Sequence, residues 1–165
     1  IDVHLMVNHP EDIIPMCLEA GADIISFHPE TANNKIFRLL NQIKDAGKKC
    51  GVVLNPATPA ESIAEYAHLL DKVTVMSVDP GYAGQKFIPE SLNKIRKLIN
   101  MRKNNGYHYL TEIDGSCNEK TFGQIAESGV DVFIVGTSGL FSLHEDVSQA
   151  WDRMIEIFQR ETVAA

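Results

Sequence analysis

Cysteine, positive charge and long apolar runs are all scarce in this chain of 165 residues. Its 3 cysteines are odd in number and lack the spacing of a zinc site or a disulfide framework, so we expect a reduced, cytoplasmic protein. The net charge is -7, and lysine and arginine form only short pairs, which argues against binding to nucleic acid or to an anionic membrane. No apolar run is long enough to span a bilayer, and no signal peptide is evident.

What the chain does have is a regular alternation of strand and helix patterns. Short runs rich in valine and isoleucine predict strands, and the runs between them place apolar residues at helical spacing. Thr58 and Glu61 have capping-box spacing and predict an α-helix after the third strand, and Asn118 is expected to cap the helix after the fifth. The predicted strands are 3–7, 24–27, 50–54, 73–78, 109–113 and 130–135.

Consecutive strand–helix units predict a parallel sheet covered by helices. Residues 20–25 and 128–133 resemble one another, and this weak internal repeat favours a barrel of repeated units. A doubly wound sheet is the alternative, although no G-x-G-x-x-G loop follows any predicted strand. A closed (β/α)8 barrel, or TIM barrel, needs two more units than the pattern shows. We therefore interpret residues 1–165 as a single α/β barrel domain that is incomplete at its N-terminus.

Polar residues and glycines collect directly after the predicted strands. In parallel α/β folds this C-terminal rim is where active sites are built. The turn chemistry of Asn, Asp, Pro and Gly explains any one such segment equally well, but several at the same end of a sheet favour a site. The segments are His28-Pro29-Glu30, Asn55-Pro56, Asp79-Pro80-Gly81, Asp114-Gly115-Ser116 and Gly136-Thr137-Ser138.

Asp114 ends the fifth predicted strand, and a turn and a helix follow it. An acid next to the free backbone N–H groups of a helix start suits proton transfer on a phosphorylated substrate. The loop with Gly81 and Gly84, and the one with Gly136, allow a phosphate to approach the backbone closely. Such glycine loops are also common as flexible connections, so each is weak evidence by itself.

His4 lies among apolar residues of the first strand, where a hydrogen-bonded core histidine is the more usual interpretation. Together with Asp114 it could instead hold a divalent metal through an imidazole nitrogen and a carboxylate oxygen. Met6 and Met76 have core packing as their default role, but both could line a pocket. The other histidines have no partner that the sequence identifies, and of these only His28 belongs to the rim.

Several of these segments together resemble the ribulose-phosphate 3-epimerase family. They are residues 4–7, 28–30, 55–59, 75–76 and 79–85, and their order and spacing match the family along the whole chain. Within the family, residues 114–118 and 135–141 are most similar to the branch that acts on D-allulose 6-phosphate, because pentulose-phosphate enzymes typically have glycine where this chain has Ser116. The resemblance implies an eight-stranded barrel of which this chain supplies strands three to eight.

The resemblance also implies a metal-dependent epimerisation at C3 of a ketose phosphate, here D-allulose 6-phosphate to D-fructose 6-phosphate. One divalent ion (Zn, Mn, Fe, Co or Mg) would be held by His4 and Asp114, and Asp114 would be one of two proton-transfer carboxylates. In the family, the other carboxylate and two further ligands come from a strand that is absent from this sequence. The substrate-binding residues implied are His4, Met6, Met76, Gly81, Tyr82, Ala83, Gly84, Gly115, Ser116, Gly136, Thr137 and Ser138.

Three alternatives stay open. The substrate within the family could be D-ribulose 5-phosphate, which is converted to D-xylulose 5-phosphate. The chain could bind a phosphate ligand without catalysis, because it holds only half of the acid–base pair and is expected to be inactive alone. It could also fail to fold alone, since an open sheet exposes two edges. For the complete protein we expect a homo-oligomer, either a dimer or a hexamer.

Overall fold

The computed structural model describes residues 1–82 and 84–163. Within these residues 6 strands form one sheet, in which every neighbouring pair is parallel and the spatial order follows the chain order. The strands are β1 (Asp2–Leu5), β2 (Ile24–Phe27), β3 (Lys49–Leu54), β4 (Lys72–Met76), β5 (Leu110–Asp114) and β6 (Val132–Ile134). The α-helices are α1 (Pro10–Glu19), α2 (Ile36–Asp45), α3 (Ser91–Asn105), α4 (Phe122–Ala126) and α5 (Val147–Thr162). In the part of the chain described, no helix combines the length and the apolar character needed to cross a membrane.

The outer face of the sheet packs against the helices and forms the main core. Successive side chains of a strand point to opposite faces, so alternate residues of each strand reach this core. Leu39, Leu40 and Ile43 of α2 lie in the same core, as the helical stripe of that segment predicts. The strand residues that are fully buried there include Ile25, Phe27, Val52, Leu54, Val73, Val75 and Ile113. Apolar burial on this face is the main source of stability for the fold.

The sheet curls strongly towards its inner face. β1 and β5 are four places apart in the strand order, so about 19 Å would separate them in a flat sheet. His4 Nδ1 on β1 nonetheless lies 3.6 Å from Asp114 Oδ2 on β5, and Lys72 Nζ on β4 lies 2.5 Å from Asp2 Oδ2 on β1. These contacts cross the concave side of the sheet and require it to bend. The strands therefore form part of a (β/α)8 barrel, which confirms the predicted fold class.

The segment between β3 and β4 does not form the predicted α-helix. Two 3₁₀ turns, Ala60–Ile63 and Ala67–Leu69, take its place. The capping box does not form because the Thr58 hydroxyl donates to Glu30 Oε1 on the loop after β2, while Glu61 Oε1 accepts from Lys97 Nζ at 2.9 Å. The spacing of Thr58 and Glu61 was thus a misleading signal, because both side chains find tertiary partners.

The predicted cap of the helix after β5 is also wrong. α4 begins at Phe122, and Thr121 occupies the N-cap position. The Asn118 amide instead donates to the Ser116 carbonyl at 3.1 Å and to the Ser138 hydroxyl at 3.2 Å. Asn118 therefore joins two rim loops, and its Oδ1 accepts from the Lys120 N–H at 3.1 Å in the turn before α4, not at the N-cap itself.

Candidate functional site

The C-terminal ends of β4, β5 and β6 and the loops that follow them enclose a cavity of about 640 Å³. These loops meet because parallel strands all end at the same edge of the sheet. Ala83 lies outside the described residues, and His4 reaches the site through its contact with Asp114. The predicted site residues that line the cavity are Met6, Met76, Gly81, Tyr82, Gly84, Asp114, Gly115, Ser116, Gly136, Thr137 and Ser138.

The curl of the sheet brings His4 and Asp114 together. Asp114 is the last residue of β5 and is followed by a rim loop, and His4 lies on β1. Their side chains are 19% and 26% exposed, so they are mostly shielded from water but still open to a ligand in the cavity. A carboxylate in this position can accept or return a proton on a bound molecule.

His28 also belongs to this group, although the sequence identified no partner for it. It follows β2, the strand next to β1, and its Nε2 lies 2.9 Å from His4 Nε2. Its side chain is buried, and its Nδ1 has no hydrogen-bond partner among the described residues. Burial, and then the neighbouring His4 ring, lower the pKa of His28 below its ordinary value of 6.5. The signal that could have found this pair is adjacency: His4 lies on β1, and His28 directly follows β2, its neighbour in a parallel sheet.

His4 and Asp114 offer two of the donors that a divalent metal needs. Ligand bonds of about 2.0–2.2 Å place two ligands of a tetrahedral ion roughly 3.4 Å apart, close to the separation of His4 Nδ1 and Asp114 Oδ2. In residues 1–82 and 84–163 no group of three or more His, Cys, Asp or Glu side chains could hold a metal. The two residues therefore fit part of a metal site and do not complete it.

Hydrogen bonds tie the rim loops to one another. The Ser77 hydroxyl after β4 donates to the Gly115 carbonyl after β5 at 2.5 Å, and the Ser116 hydroxyl donates to the Gln85 carbonyl at 2.5 Å. The Asn118 bond to Ser138 extends this connection to the loop after β6. The three loops consequently hold their backbone around the cavity as a unit.

The backbone after Asp114 is shaped for a close approach. Gly115 has a φ of +120°, and a Cβ there would lie 2.7 Å from Val78 Cγ2. Ser116 adopts a φ of 50°, a left-handed conformation that few residues other than glycine take up. Such backbone positions are concentrated at functional sites, where the surrounding structure supports their cost.

Cys117 lines the same cavity but is not suited to nucleophilic chemistry. Its side chain is buried, and burial, followed by the negative charge of Asp114, raises the pKa of its thiol to about 12. A thiol that stays protonated is a poor nucleophile and a poor metal ligand. The chemistry available at this site is therefore proton transfer by Asp114, with imidazole nitrogens beside it and loop backbone around it.

Comparison with known proteins identifies relatives of this chain. A profile of the ribulose-phosphate 3-epimerase family matches residues 1–141. The ribulose-phosphate 3-epimerase of Buchnera aphidicola subsp. Schizaphis graminum is 43% identical over 141 residues, which cover 86% of this chain and 61% of that protein. The enzyme of the same name from Aquifex aeolicus is 43% identical over 149 residues, covering 90% and 66%, and that from Escherichia coli K12 is 42% identical over 138 residues, covering 84% and 61%. The chain thus spans about three-fifths of the length of these relatives.

Solved structures with lower identity share the fold. The 3-hexulose-6-phosphate synthase of Salmonella typhimurium superposes with a TM-score of 0.62 at 19% identity, covering 97% of this chain and 72% of that one. A tryptophan synthase α-subunit from Pyrococcus furiosus gives a TM-score of 0.64 at 15% identity, covering 93% and 63%. These similarities support the architecture alone, whereas the family match extends over most of the sequence. The chain belongs to the ribulose-phosphate 3-epimerase family.

Proposed function

We propose that this chain carries the phosphate-binding rim and one catalytic carboxylate of a ketose-phosphate 3-epimerase, with D-ribulose 5-phosphate as its substrate and D-xylulose 5-phosphate as its product. The observation that carries this proposal is Asp114, which lies beside His4 at the mouth of the cavity in a chain of this family. The curated relatives described above are all named for this activity, which favours the pentulose phosphate over the hexulose phosphate.

Asp114 moves the proton at C3 of the substrate. C3 lies next to the C2 carbonyl, so its proton is acidic enough to be removed by a positioned carboxylate, and an enediolate results. Return of a proton to the other face of C3 inverts the centre and requires a second acid–base group on that face. Asp114 therefore accounts for one face of the reaction.

His4 Nδ1 and Asp114 Oδ2 would hold one divalent ion, with Zn, Mn, Fe, Co and Mg as candidates. When bound, the ion supplies positive charge that stabilises oxyanions of the substrate. His28 keeps the His4 ring in place through the contact between their Nε2 atoms.

The rim loops bind the substrate phosphate. The backbone near Gly81, Gly84 and Gly115 adopts positive φ, which lets N–H groups converge on an anion without a net positive charge. Met6 and Met76 line the cavity and supply its apolar wall. The full set of phosphate-binding positions proposed is Gly81, Tyr82, Ala83, Gly84, Gly115, Ser116, Gly136, Thr137 and Ser138.

The experiment that tests this assignment replaces Asp114 by asparagine in the complete protein. Exchange of the C3 proton of D-ribulose 5-phosphate with deuterated solvent should fall by about 10²–10⁴-fold, because a neutral amide cannot act as the base. The unfolding midpoint should stay at the wild-type value, because among the described residues the Asp114 carboxylate pairs with His4 alone, at a long 3.6 Å. Asp152→Asn on the exposed surface of α5 is the matched control and should keep the wild-type rate. Wild-type exchange in Asp114→Asn would show that another residue is the base.

Ser116 favours a second candidate substrate, D-allulose 6-phosphate. Its hydroxyl, two residues after Asp114 in the chain, donates to the Gln85 carbonyl, and its left-handed backbone would be less strained with glycine. The strained backbone at Ser116 is explained if its side chain has a role in binding the sugar. Measuring kcat/KM on both ketose phosphates decides between the two substrates, and a higher value on the hexulose phosphate would favour this second candidate.

Binding without turnover would point to a different activity. If the complete protein binds the ketose phosphate, contains no divalent ion and never exchanges the C3 proton, it is a phosphate-binding module rather than an epimerase. The homo-oligomer and the cytoplasmic location stay predictions, and light scattering of the purified protein measures the first of these directly.

A further inference from the structure

A group of three charged side chains lies on the inner face of the curled sheet: Lys72 and Glu112 are buried, and Asp2 is 39% exposed. Lys72 Nζ on β4 lies 2.5 Å from Asp2 Oδ2 on β1 and 2.9 Å from Glu112 Oε1 on β5. The Lys72 and Glu112 side chains are only 7% and 6% exposed. The Thr74 hydroxyl adds a hydrogen bond of 2.7 Å to the same Glu112 oxygen. The proposed proton transfer and phosphate binding use none of these residues.

The position of this group relative to the site is informative. Asp2 comes two residues before His4 on β1, and Glu112 comes two residues before Asp114 on β5. Residues two apart on a strand share a face and are separated by about 6.6 Å, so each acid lies directly below a proposed site residue. Lys72 thus links the two strands that carry His4 and Asp114, one layer below them.

The sequence leaves room for this link. Lys72 pairs in register with Gly51 on β3 and with Leu110 on β5. A Cβ at Gly51 would come within 3.3 Å of Lys72 Cβ and 2.5 Å of Ser26 Oγ. Because Gly51 has no side chain, the long lysine chain can cross the concave face and reach β1.

β1 and β5 share no backbone hydrogen bonds, since three strands separate them in the sheet. Their separation is therefore set by the curl and by side chains that cross the inner face. The Lys72 bridge and the contact between His4 and Asp114 are two such crossings. The Lys72 bridge is the crossing with the shorter contacts, 2.5 Å and 2.9 Å against 3.6 Å. At its Glu112 end both partners are buried, so removing one of them alone leaves an uncompensated buried charge.

We infer that Lys72 is a positioning residue for the proposed site: by bridging Asp2 and Glu112 it holds β1 and β5 at the separation that lets His4 and Asp114 face one another. Its effect on the reaction rests on the proposed function, whereas its effect on the geometry of His4 does not. A residue that acted only on stability would change the unfolding midpoint without changing the environment of the His4 ring.

The test compares four variants in the complete protein. Lys72→Met keeps much of the side-chain length and removes the charge, Lys72→Arg keeps the charge, and Lys72→Met with Glu112→Gln removes both buried charges together. Lys97→Met is the matched control, because Lys97 also pairs with a glutamate at 2.9 Å but lies at the surface, 61% exposed. The readouts are the imidazole nitrogen NMR signals of His4, the unfolding midpoint, and kcat and KM for the ketose phosphate.

Lys72→Met should shift the His4 signals and lower kcat about 10–100-fold with little change in KM, as is typical when a supporting residue of a site is lost. Lys72→Arg should show smaller changes in the His4 signals and in kcat than Lys72→Met does. Lys97→Met should leave the His4 signals and kcat unchanged. If Lys72→Met does not fold, the double variant replaces it in the test, because it leaves no buried carboxylate unpaired and the remaining Asp2 is 39% exposed. It should still show displaced His4 signals. Wild-type His4 signals in the folded variant would overturn the inference, whether or not its stability falls. Absence of turnover in the wild type would count against the proposed function alone, because the NMR comparison still decides the positioning role.

Discussion

Asp23, Asp71 and Asp131 each stand directly before a strand, at the N-terminal end of the sheet, whereas Asp114 is the last residue of β5, at the opposite end. Asp131 accepts hydrogen bonds from Arg102 and from both the backbone N–H and the hydroxyl of Thr111. Within the described residues, the Asp114 carboxylate makes one ion-pair contact, with His4 Nδ1 at 3.6 Å from its Oδ2.

Aspartate therefore has a structural role at the N-terminal end of the strands and a proposed functional role at the C-terminal end. At the N-terminal end, aspartate oxygens accept from lysine, arginine or backbone donors and so join the start of one strand to its neighbours. At the C-terminal rim, no donor among the residues that the structure describes forms a hydrogen bond shorter than 3.5 Å with the Asp114 carboxylate, which lines the cavity and is accessible to a ligand there. Replacing aspartates at the N-terminal end should lower stability, and replacing Asp114 should lower activity.

The largest expected loss of stability in this series follows from Asp131→Ala. The variant removes the acceptor of the buried Thr111 N–H and the ion-pair partner of Arg102, whose guanidinium keeps its hydrogen bond to the Tyr109 carbonyl; this should cost about 1–3 kcal/mol in the free energy of unfolding. Burial alone would raise the pKa of Asp131, but Arg102 and Thr111 hold it below the ordinary value of 3.8. The stabilisation is therefore complete above pH 3.8 and is lost as the pH falls below it through the folded-state pKa. Urea unfolding of both proteins at several pH values measures this, and a difference that grows in acid would contradict it.

A smaller loss is expected from Asp71→Ala. Asp71 Oδ2 accepts from the buried Cys50 N–H at 2.9 Å, and Lys44 Nζ is more distant at 3.7 Å. One hydrogen bond is lost rather than several, so the cost should be about 1 kcal/mol. The same urea titration at neutral pH gives the value. A cost equal to that of Asp131→Ala would show that the number of donors on the carboxylate does not set its contribution.

The smallest effect is expected from Asp23→Ala. Asp23 is 63% exposed, and its contact with Lys48 Nζ is long, at 3.4 Å. Solvent and salt screen such a pair, so the difference from wild type should be the smallest of the three and should vanish at molar salt. Thermal unfolding at low and high salt checks this. A difference that persists at high salt would show that Asp23 stabilises the strand ends by something other than charge.

Much of the fold could be predicted from the sequence because it depends on local pattern. The stripe in α2 appears where its period places it, and the strands lie close to their predicted positions, although the first, fourth and sixth end at Leu5, Met76 and Ile134, earlier than predicted. The 3₁₀ turns after β3 could not be predicted, because the Thr58 hydroxyl is used by Glu30, a residue of another loop. The helix start after β5 was misplaced for the same reason, since Asn118 bonds to the loop after β6.

The candidate site also has a part that the sequence predicts and a part that it does not. Asp114 and the rim glycines could be named from the sequence because every strand of a parallel sheet ends at one edge, so strand ends indicate a rim. The sequence did not allow us to predict the contact of His28 with His4 or the bridge from Lys72 to Asp2 and Glu112. Those contacts exist because the sheet curls.

By itself, the order of residues determined the alternation of strands and helices, the parallel sheet, and which side chains stand at its C-terminal rim. Each of these follows from local periodicity and from the direction of the strands. Only the tertiary structure decided that β1 faces β5 across the interior, with Lys72 between them. The physical reason is that the bend of the sheet accumulates over several strands and the packing of their helices, so no single segment of the sequence encodes it.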